Sequence, residues 1–302
     1  MYQVPSQRGK LIAVTGANSG TGLEVTRRLA AAGARVIMAV RNHEKGDAAR
    51  NDLLAQLPDA RLEVRILDVA DLSSVARFAE SLTSEGTPLD VLINNAGVMV
   101  PPTRFETVDG FELQMGTNFL GAFALTLRLL PLMLKAEDPR VSTMSSFAAS
   151  FGRIHFDDLE WTSHYRASSA YAQSKLADLL FALRLAEISR ERDWALMSNA
   201  AHPGYTRTNL MTAGASLGRT KTRRAWVNRA AHLVSQGVEQ GAEPLLYGAT
   251  SPDALSGVYY GPSRVLVGPT TIAAPPRAAR DREVGERLFS LAEELTGVSL
   301  PS

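Results

Sequence analysis

The chain has 302 residues, a net charge of +1 at pH 7 and no cysteine. The missing thiols exclude disulfides, thiolate metal sites and a cysteine nucleophile, and the small net charge gives no global attraction for nucleic acid or an anionic membrane. With 45% hydrophobic and 21% charged residues, the composition is that of an ordinary globular protein long enough to bury a sizeable core.

The opening MYQVPSQRGK holds no apolar segment, so neither a signal peptide nor an N-terminal anchor is expected, and a cytoplasmic location follows as the expectation. LIAVT (11–15) predicts a strand, and a helical pattern runs from about Gly20 to Ala32. Between them TGANSGTG (15–22) sets Gly16, Gly20 and Gly22, with Asn18 and Ser19 among them, where strand turns into helix. Glycines there allow a tight turn and a close backbone approach to a pyrophosphate facing the helix N-terminus; an ordinary glycine-rich turn is the competing account.

RVIMAV (35–40) predicts the second strand, before a helix from about Glu44 to Leu57. An acidic residue ending this strand would bond a ribose 2′-hydroxyl and repel a 2′-phosphate. Here Val40 is followed by Arg41, with Lys45 nearby, which predicts NADP(H) rather than NAD(H), unless Arg41 is a solvated loop residue. LEVRIL (62–67) and a helix from about Leu72 to Ser84 follow; Asp68 and Val69 between them are expected to flank the adenine, with helix capping as the alternative for Asp68.

VLIN (91–94) precedes a long helix from about Gly110 to Leu134. Its greasy stretch FLGAFALTLRLLPLML (119–134) contains Arg128 and Pro131, is short for a bilayer span, and reads as a buried helix. RVSTM (140–144) is a further strand, and a helix from about Ser169 to Arg190 carries YAQSK (171–175), whose Tyr171 and Lys175 share one face. ALMSNA (195–200) and GVYY (257–260) are the last strands expected, 262–280 reads as an irregular excursion rich in proline, and a helix over about 281–296 closes the chain. The alternation predicts an α/β fold, a single domain with a doubly wound, Rossmann-type parallel sheet, helices on both faces and a ligand at the carboxyl ends of the strands.

The helix bearing Tyr171 is apolar on two sides, Leu176, Leu179, Leu180 and Leu183 on one, Phe181, Leu185 and Ile188 on the other. The second side needs a neighbouring helix or a second subunit, which favours a homo-oligomer, dimer or tetramer. The five histidines (43, 155, 164, 202, 232) show no metal-ligand spacing, so no metal is expected.

TGANSGTG, NNAG (94–97), YAQSK and HPGYTRT (202–208), in this order, resemble the classical short-chain dehydrogenase/reductases from about Gly9 to Leu210. DGFELQMGTNFLGAF (109–123), SSFAASFGRIHF (145–156) and YAQSKLADLLF (171–181) look most like the retinol dehydrogenase-like branch, which also resembles protochlorophyllide reductases. The light-dependent protochlorophyllide enzymes use an active-site cysteine, and its absence here weighs against their reaction. The resemblance implies Ser146 as catalytic serine (Ser145 being the rival), Tyr171 as general acid/base, Lys175 as its partner and Asn118 as the fourth member. It further implies Asn95, Ala96 and Gly97 along the adenosine side of the cofactor and Pro203, Gly204 and Thr208 near the nicotinamide carboxamide.

The chemistry explains the pairing. Free tyrosine, with a pKa of about 10, is a poor proton donor or acceptor near neutrality, and an adjacent ammonium favours its ionised form. Ser146 would bond the substrate oxygen as charge develops on it. The expected function is NADP(H)-dependent hydride transfer to or from a carbonyl or alcohol of an apolar small molecule, as in a carbonyl reductase. Reduction of a conjugated C=C bond and a non-catalytic NADP(H) sensor are the alternatives. Substrate contacts are expected from 147–168, 205–240 with Leu210, Met211 and Trp226, and 262–280; the basic stretch RTKTRRAWVNR (219–229) reads as a solvated face.

Overall fold

The computed structural model describes residues 1–204 and 237–301, so Thr208, Leu210, Met211, Trp226, the basic stretch and most of the 205–240 segment lie outside the described residues. The strands are β1 (Leu11–Thr15), β2 (Arg35–Val40), β3 (Arg61–Ile66), β4 (Val91–Asn94), β5 (Arg140–Met144), β6 (Met197–Ala201), β7 (Tyr259–Pro262) and β8 (Thr270–Ile272). They form one sheet in the order β3-β2-β1-β4-β5-β6-β7-β8, parallel throughout except for β8, which runs antiparallel to β7 at the edge. The helices are α1 (Gly20–Ala31), α2 (His43–Gln56), α3 (Leu72–Glu85), α4 (Gly121–Met133), α5 (Ala167–Glu191), α6 (Val238–Thr250) and α7 (Arg282–Thr296).

Alternation along the central strands builds a core on each face of the sheet. Leu11, Ala13, Ile37 and Ala39 point to the side covered by α3, α4, α5 and α7, while Ile12, Val14, Val36 and Met38 point to the side of α1, α2 and α6. Strands buried on both faces therefore read as continuous apolar runs, and β1, β2, β4 and β5 begin and end where the sequence predicts.

Two expectations are corrected. The helix expected from about Gly110 starts only after Glu112, because residues 106–112 close a tight turn in which Glu106 bridges Glu112 and the Thr107 amide donates to the Phe111 carbonyl at 2.8 Å. The excursion 262–280 contains β8, held by the pairs Tyr260–Ile272, Gly261–Thr271 and Pro262–Thr270. A strand of three largely exposed residues carries no readable periodicity. The stretch Met115–Met133 is apolar and long enough to cross a membrane, yet 89% of its window is buried inside the fold, as expected of a core helix.

Gly121 opens α4 against the turn after β3. A Cβ there would lie 1.9 Å from the Val69 carbonyl oxygen, so only glycine lets helix and turn meet. Gly121→Ala should lower unfolding stability by about 1–3 kcal/mol, the usual cost of overpacking. Chemical denaturation checks this, and an unchanged midpoint would show that helix and turn do not touch.

The second apolar side of α5 is covered within the chain. Phe289 of α7 sits 5.0 Å from Phe123 of α4 and 6.2 Å from Phe181 of α5, ring centre to ring centre. The pattern that suggested a second subunit is thereby accounted for by a neighbouring helix.

Candidate active site

The strand order reverses between β1 and β4, and a crevice opens outside their carboxyl ends at such a switch point. Thr15, the last residue of β1, stitches its lips together. Its hydroxyl accepts from the amides of Asn95 and Ala96, both at 2.9 Å, and its carbonyl accepts from Asn95 Nδ2 at 2.9 Å. Gly16 follows with φ of 66°, a left-handed turn that favours glycine. At Gly22 a Cβ would fall 2.3 Å from the Gly16 carbonyl oxygen and 2.5 Å from Asn95 Nδ2. The glycine turn and the Asn95–Ala96 segment are thus one compact unit.

The α1 N-terminus beyond this turn is open for an anion. Ser19 is its N-cap yet makes no side-chain cap bond, and the first turn carries no acidic residue. Both features leave the amides and the positive helix end for a ligand. Arg41 is exposed at the carboxyl end of β2, beside Asn42, which caps α2 by accepting from the Lys45 amide at 2.8 Å. Asp68 and Val69 follow β3. The Asp68 carboxyl accepts from the Ala70 amide at 3.0 Å, the N-cap of α3 is instead Asp71, and buried Val69 backs onto Gly121.

The second half of the site is built around α5. Lys175 is 4% exposed, and its ammonium donates to the Met144 carbonyl at 2.9 Å and to Asp178 Oδ2 at 2.8 Å. A Cβ on Gly97 would lie 3.7 Å from the Lys175 Nζ and 2.9 Å from Asn118 Oδ1, so glycine keeps the floor of the crevice open beside the ammonium. Asn118 lies in a π-helical turn, Met115–Leu120, at the start of the α4 rod. Its amide accepts from the Val98 amide at 2.7 Å and donates to the Val98 carbonyl at 3.0 Å and Ser174 Oγ at 2.8 Å. Both donors are spent, so the side chain braces the crevice wall against α5.

Burial opposes the Lys175 charge, but the Asp178 carboxylate, the electrostatic pull of the neighbouring Tyr171 and the Asp178 hydrogen bond together outweigh it and hold its pKa above the ordinary value. Asp178 itself is pushed up to about 7 by burial, against the pull of Lys175. Tyr171, one turn before Lys175, is 9% exposed.

The two adjacent serines are distinguished by their partners. Ser145 Oγ donates to the Lys175 carbonyl at 2.6 Å and is fixed inside the fold. Ser146 is partly exposed and caps a short 3-10 turn, Phe147–Phe151, by accepting from the Ala148 amide at 3.2 Å; its hydroxyl proton stays available. The Tyr259 hydroxyl, on β7, donates to the Ser146 carbonyl at 3.0 Å. Burial pushes its pKa up, and the charges of Tyr171 and Asp178 act in the same direction.

Pro203 and Gly204 follow β6, whose Ala201 pairs with Met144 of β5. His202 beside them is packed against Tyr259 with ring centres 5.0 Å apart, and burial lowers its pKa to about 4, which makes it neutral. Part of 147–168 is tied to α5 and to the start of the α4 rod. The Gln173 amide donates to the Leu159 carbonyl and accepts from the His155 amide, at 2.9 and 3.0 Å, and Tyr165 bonds Gln114 at 3.0 Å. Phe151, at 76% exposure, is the open apolar side chain of this segment and pairs with Phe147. Two surface grooves, one between α3, α4 and the C-terminal residues and one between α5 and the turn before α7, contain none of the expected catalytic or cofactor-binding residues.

Sequence reasoning missed Asp178 and Tyr259. For Asp178 the signal was present, an aspartate one turn after Lys175 inside an apolar helical run. Tyr259 carried no signal beyond membership of a strand.

Comparison with known proteins bears on this geometry. The short chain dehydrogenase family model matches residues 10–216. Human retinol dehydrogenase 13 is 37% identical over 97% of this chain and 86% of its own length. Mouse polyprenol dehydrogenase is 39% identical over the same shares, 97% and 86%. A crystal structure of an uncharacterised protein from Mycobacterium paratuberculosis superposes with a TM-score of 0.82 at 40% identity, covering 99% of this chain and 97% of that one. A crevice between β1 and β4, a glycine turn below it and matches running nearly end to end place the chain in the short-chain dehydrogenase family, among oxidoreductases of the retinol dehydrogenase-like branch that use a nicotinamide cofactor.

Proposed function

We propose that the protein is an NADP(H)-dependent oxidoreductase that interconverts a carbonyl and an alcohol on an apolar small molecule. The observation that carries this reading is the buried Lys175 ammonium beside the glycine floor at Gly97, with Tyr171 one turn away on the same helix. The residues fit a dinucleotide, since the uncapped α1 N-terminus can take the pyrophosphate and a side chain at Gly97 would fill the floor beside Lys175. Gly16, Asn18, Ser19, Gly20 and Gly22 would hold the phosphates, Asn95, Ala96 and Gly97 the adenosine side, Asp68 and Val69 the adenine, and Pro203, Gly204 and Thr208 the carboxamide. When bound, the nicotinamide supplies or accepts the hydride.

The chain's own residues handle the proton and the position. Tyr171 gives its hydroxyl proton to the substrate oxygen in reduction and takes one in oxidation. Lys175 stabilises the phenolate left behind, and Ser146 donates a hydrogen bond to the oxygen as it becomes charged. Asn118 fixes the wall on which Lys175 rests. Exposed Phe151 and the relatives named for retinol and polyprenol support an apolar substrate. Loss of the nicotinamide absorbance on mixing with NADPH and apolar aldehydes, ketones and quinones tests the activity. Tight NADPH binding with no loss across that panel would overturn it in favour of a sensor, and product analysis separates C=O from C=C reduction.

Arg41 is proposed to hold the 2′-phosphate of NADP(H). Arg41→Ala should weaken NADPH by about 10- to 100-fold, the worth of hydrogen bonds to a charged group, and leave NADH nearly unaffected. Parallel titrations check it; equal losses would sink the assignment.

A further inference from the structure

Asp178 is a charge in an unusual place, and what it does deepens the reading above and rests on it. It lies between Ala177 and Leu179 in the apolar run of α5 and is 1% exposed. One carboxylate oxygen takes the Lys175 ammonium at 2.8 Å; the other, Oδ1, is buried with no hydrogen-bond partner among the described residues. A half-satisfied buried carboxylate carries a desolvation cost that an apolar residue would not. Its benefit must lie in the group it faces.

That group is the ammonium beside the crevice floor. Of its three N–H bonds one goes to Asp178 and one to the Met144 carbonyl, which leaves one for the Gly97 side. The titratable groups around the carboxylate are Lys175, then Tyr171 through it, on α5, and Tyr259 from β7; the side chains of Asn118 and Ser174 next to them are neutral.

We propose that Asp178 is a positioning residue for the oxidoreductase reaction: it draws the Lys175 ammonium onto the Met144 carbonyl, keeps it charged in a dry site, and so sets the alkaline edge of the pH range in which the Tyr171–Lys175 pair works. Burial alone favours the neutral amine, and the Asp178 charge is the first force against it. Removing that negative charge lowers the proton affinity of the ammonium it faces, so Lys175 should release its proton at lower pH.

The test is Asp178→Asn, which keeps the shape and an acceptor for Lys175. For NADPH-dependent carbonyl reduction, the alkaline limb of kcat should move down by about one pH unit or more. NADPH affinity at neutral pH should stay within about threefold, a change of under roughly 0.7 kcal/mol. Asp178→Glu should bring the limb back toward the wild-type position. A limb that stays in place in Asp178→Asn, whatever the height of the profile, would make Asp178 a structural residue and overturn the proposal.

A second arm needs no turnover, so failure of the enzymatic reading is told apart from failure of this one. With its counter-charge gone, the buried Lys175 has a folded-state pKa below its unfolded value of about 10.4. The resulting penalty is present at neutral pH and relieved as pH rises toward that value, so Asp178→Asn should gain stability on the wild type between neutral and alkaline pH. A constant difference across that range counts against the pair. If Asp178→Asn does not fold, the double variant Lys175→Met with Asp178→Asn decides: recovery of folding points to the unpaired ammonium and supports the proposal, and equal failure overturns it.

Discussion

Tyr171→Phe should abolish most turnover, by about 100- to 10,000-fold in kcat, while NADPH still binds. The substitution deletes one oxygen from a side chain that is 9% exposed and packed in α5, and it leaves the ring in place. Among the described residues the Tyr171 hydroxyl bonds to no other side chain or backbone group, so its removal breaks no hydrogen bond among them. What disappears is the proposed proton donor, together with the anion that the Lys175 ammonium would stabilise. Steady-state rates and NADPH fluorescence titration separate the two effects. A variant that keeps a near-normal kcat would show that the proton comes from elsewhere, and Ser146 would be the next group to replace.

Lys175→Met should lose activity and stability together. The methionine fills the space of the lysine stem but leaves Asp178 buried without its cation, and breaking a buried ion pair from one side costs about 3–5 kcal/mol. The sign of its pH dependence follows from the direction of the Asp178 shift. Burial already holds this carboxyl above its unfolded value of about 3.9, and without Lys175 it rises further. A folded-state pKa above the unfolded one leaves stability intact below about pH 4 and erodes it as pH climbs through the folded value. Wild type and variant lose this contribution alike up to about pH 7, the wild-type value, so the variant's deficit should be smallest in mild acid and widen only above pH 7. Urea denaturation at a series of pH values reads this directly, and a deficit that does not vary with pH would contradict the ion-pair geometry.

Several parts of this molecule were written openly in its residues, and others were not. RVIMAV and VLIN declare themselves as strands because a parallel strand between two helical layers is apolar at nearly every position. The glycine turn is legible because a backbone crossing at Gly16 and Gly22 leaves no room for a side chain, whatever the rest of the fold does. Ser145 and Ser146 are chemically identical in the sequence; only the 2.6 Å bond from Ser145 to the Lys175 carbonyl tells which is locked away. Asp178 shows the harder limit. An aspartate in a helix usually faces water, and the apolar run around Asp178 is the one local sign that this one is enclosed. Strand β8 stayed hidden because its pairing is contributed by β7 and not by any pattern of its own.

Phe289 reaches Phe123 and Phe181 from the last helix of the chain. Synthesis runs from the amino end, so those two rings leave the ribosome about a hundred residues or more before the one that covers them. For that interval the nascent protein carries a greasy wound on its flank, with the sheet edge beside it still unfinished. Premature termination anywhere before α7 would leave the wound permanent and hand the product to chaperones and proteases, even with every residue of the crevice already made.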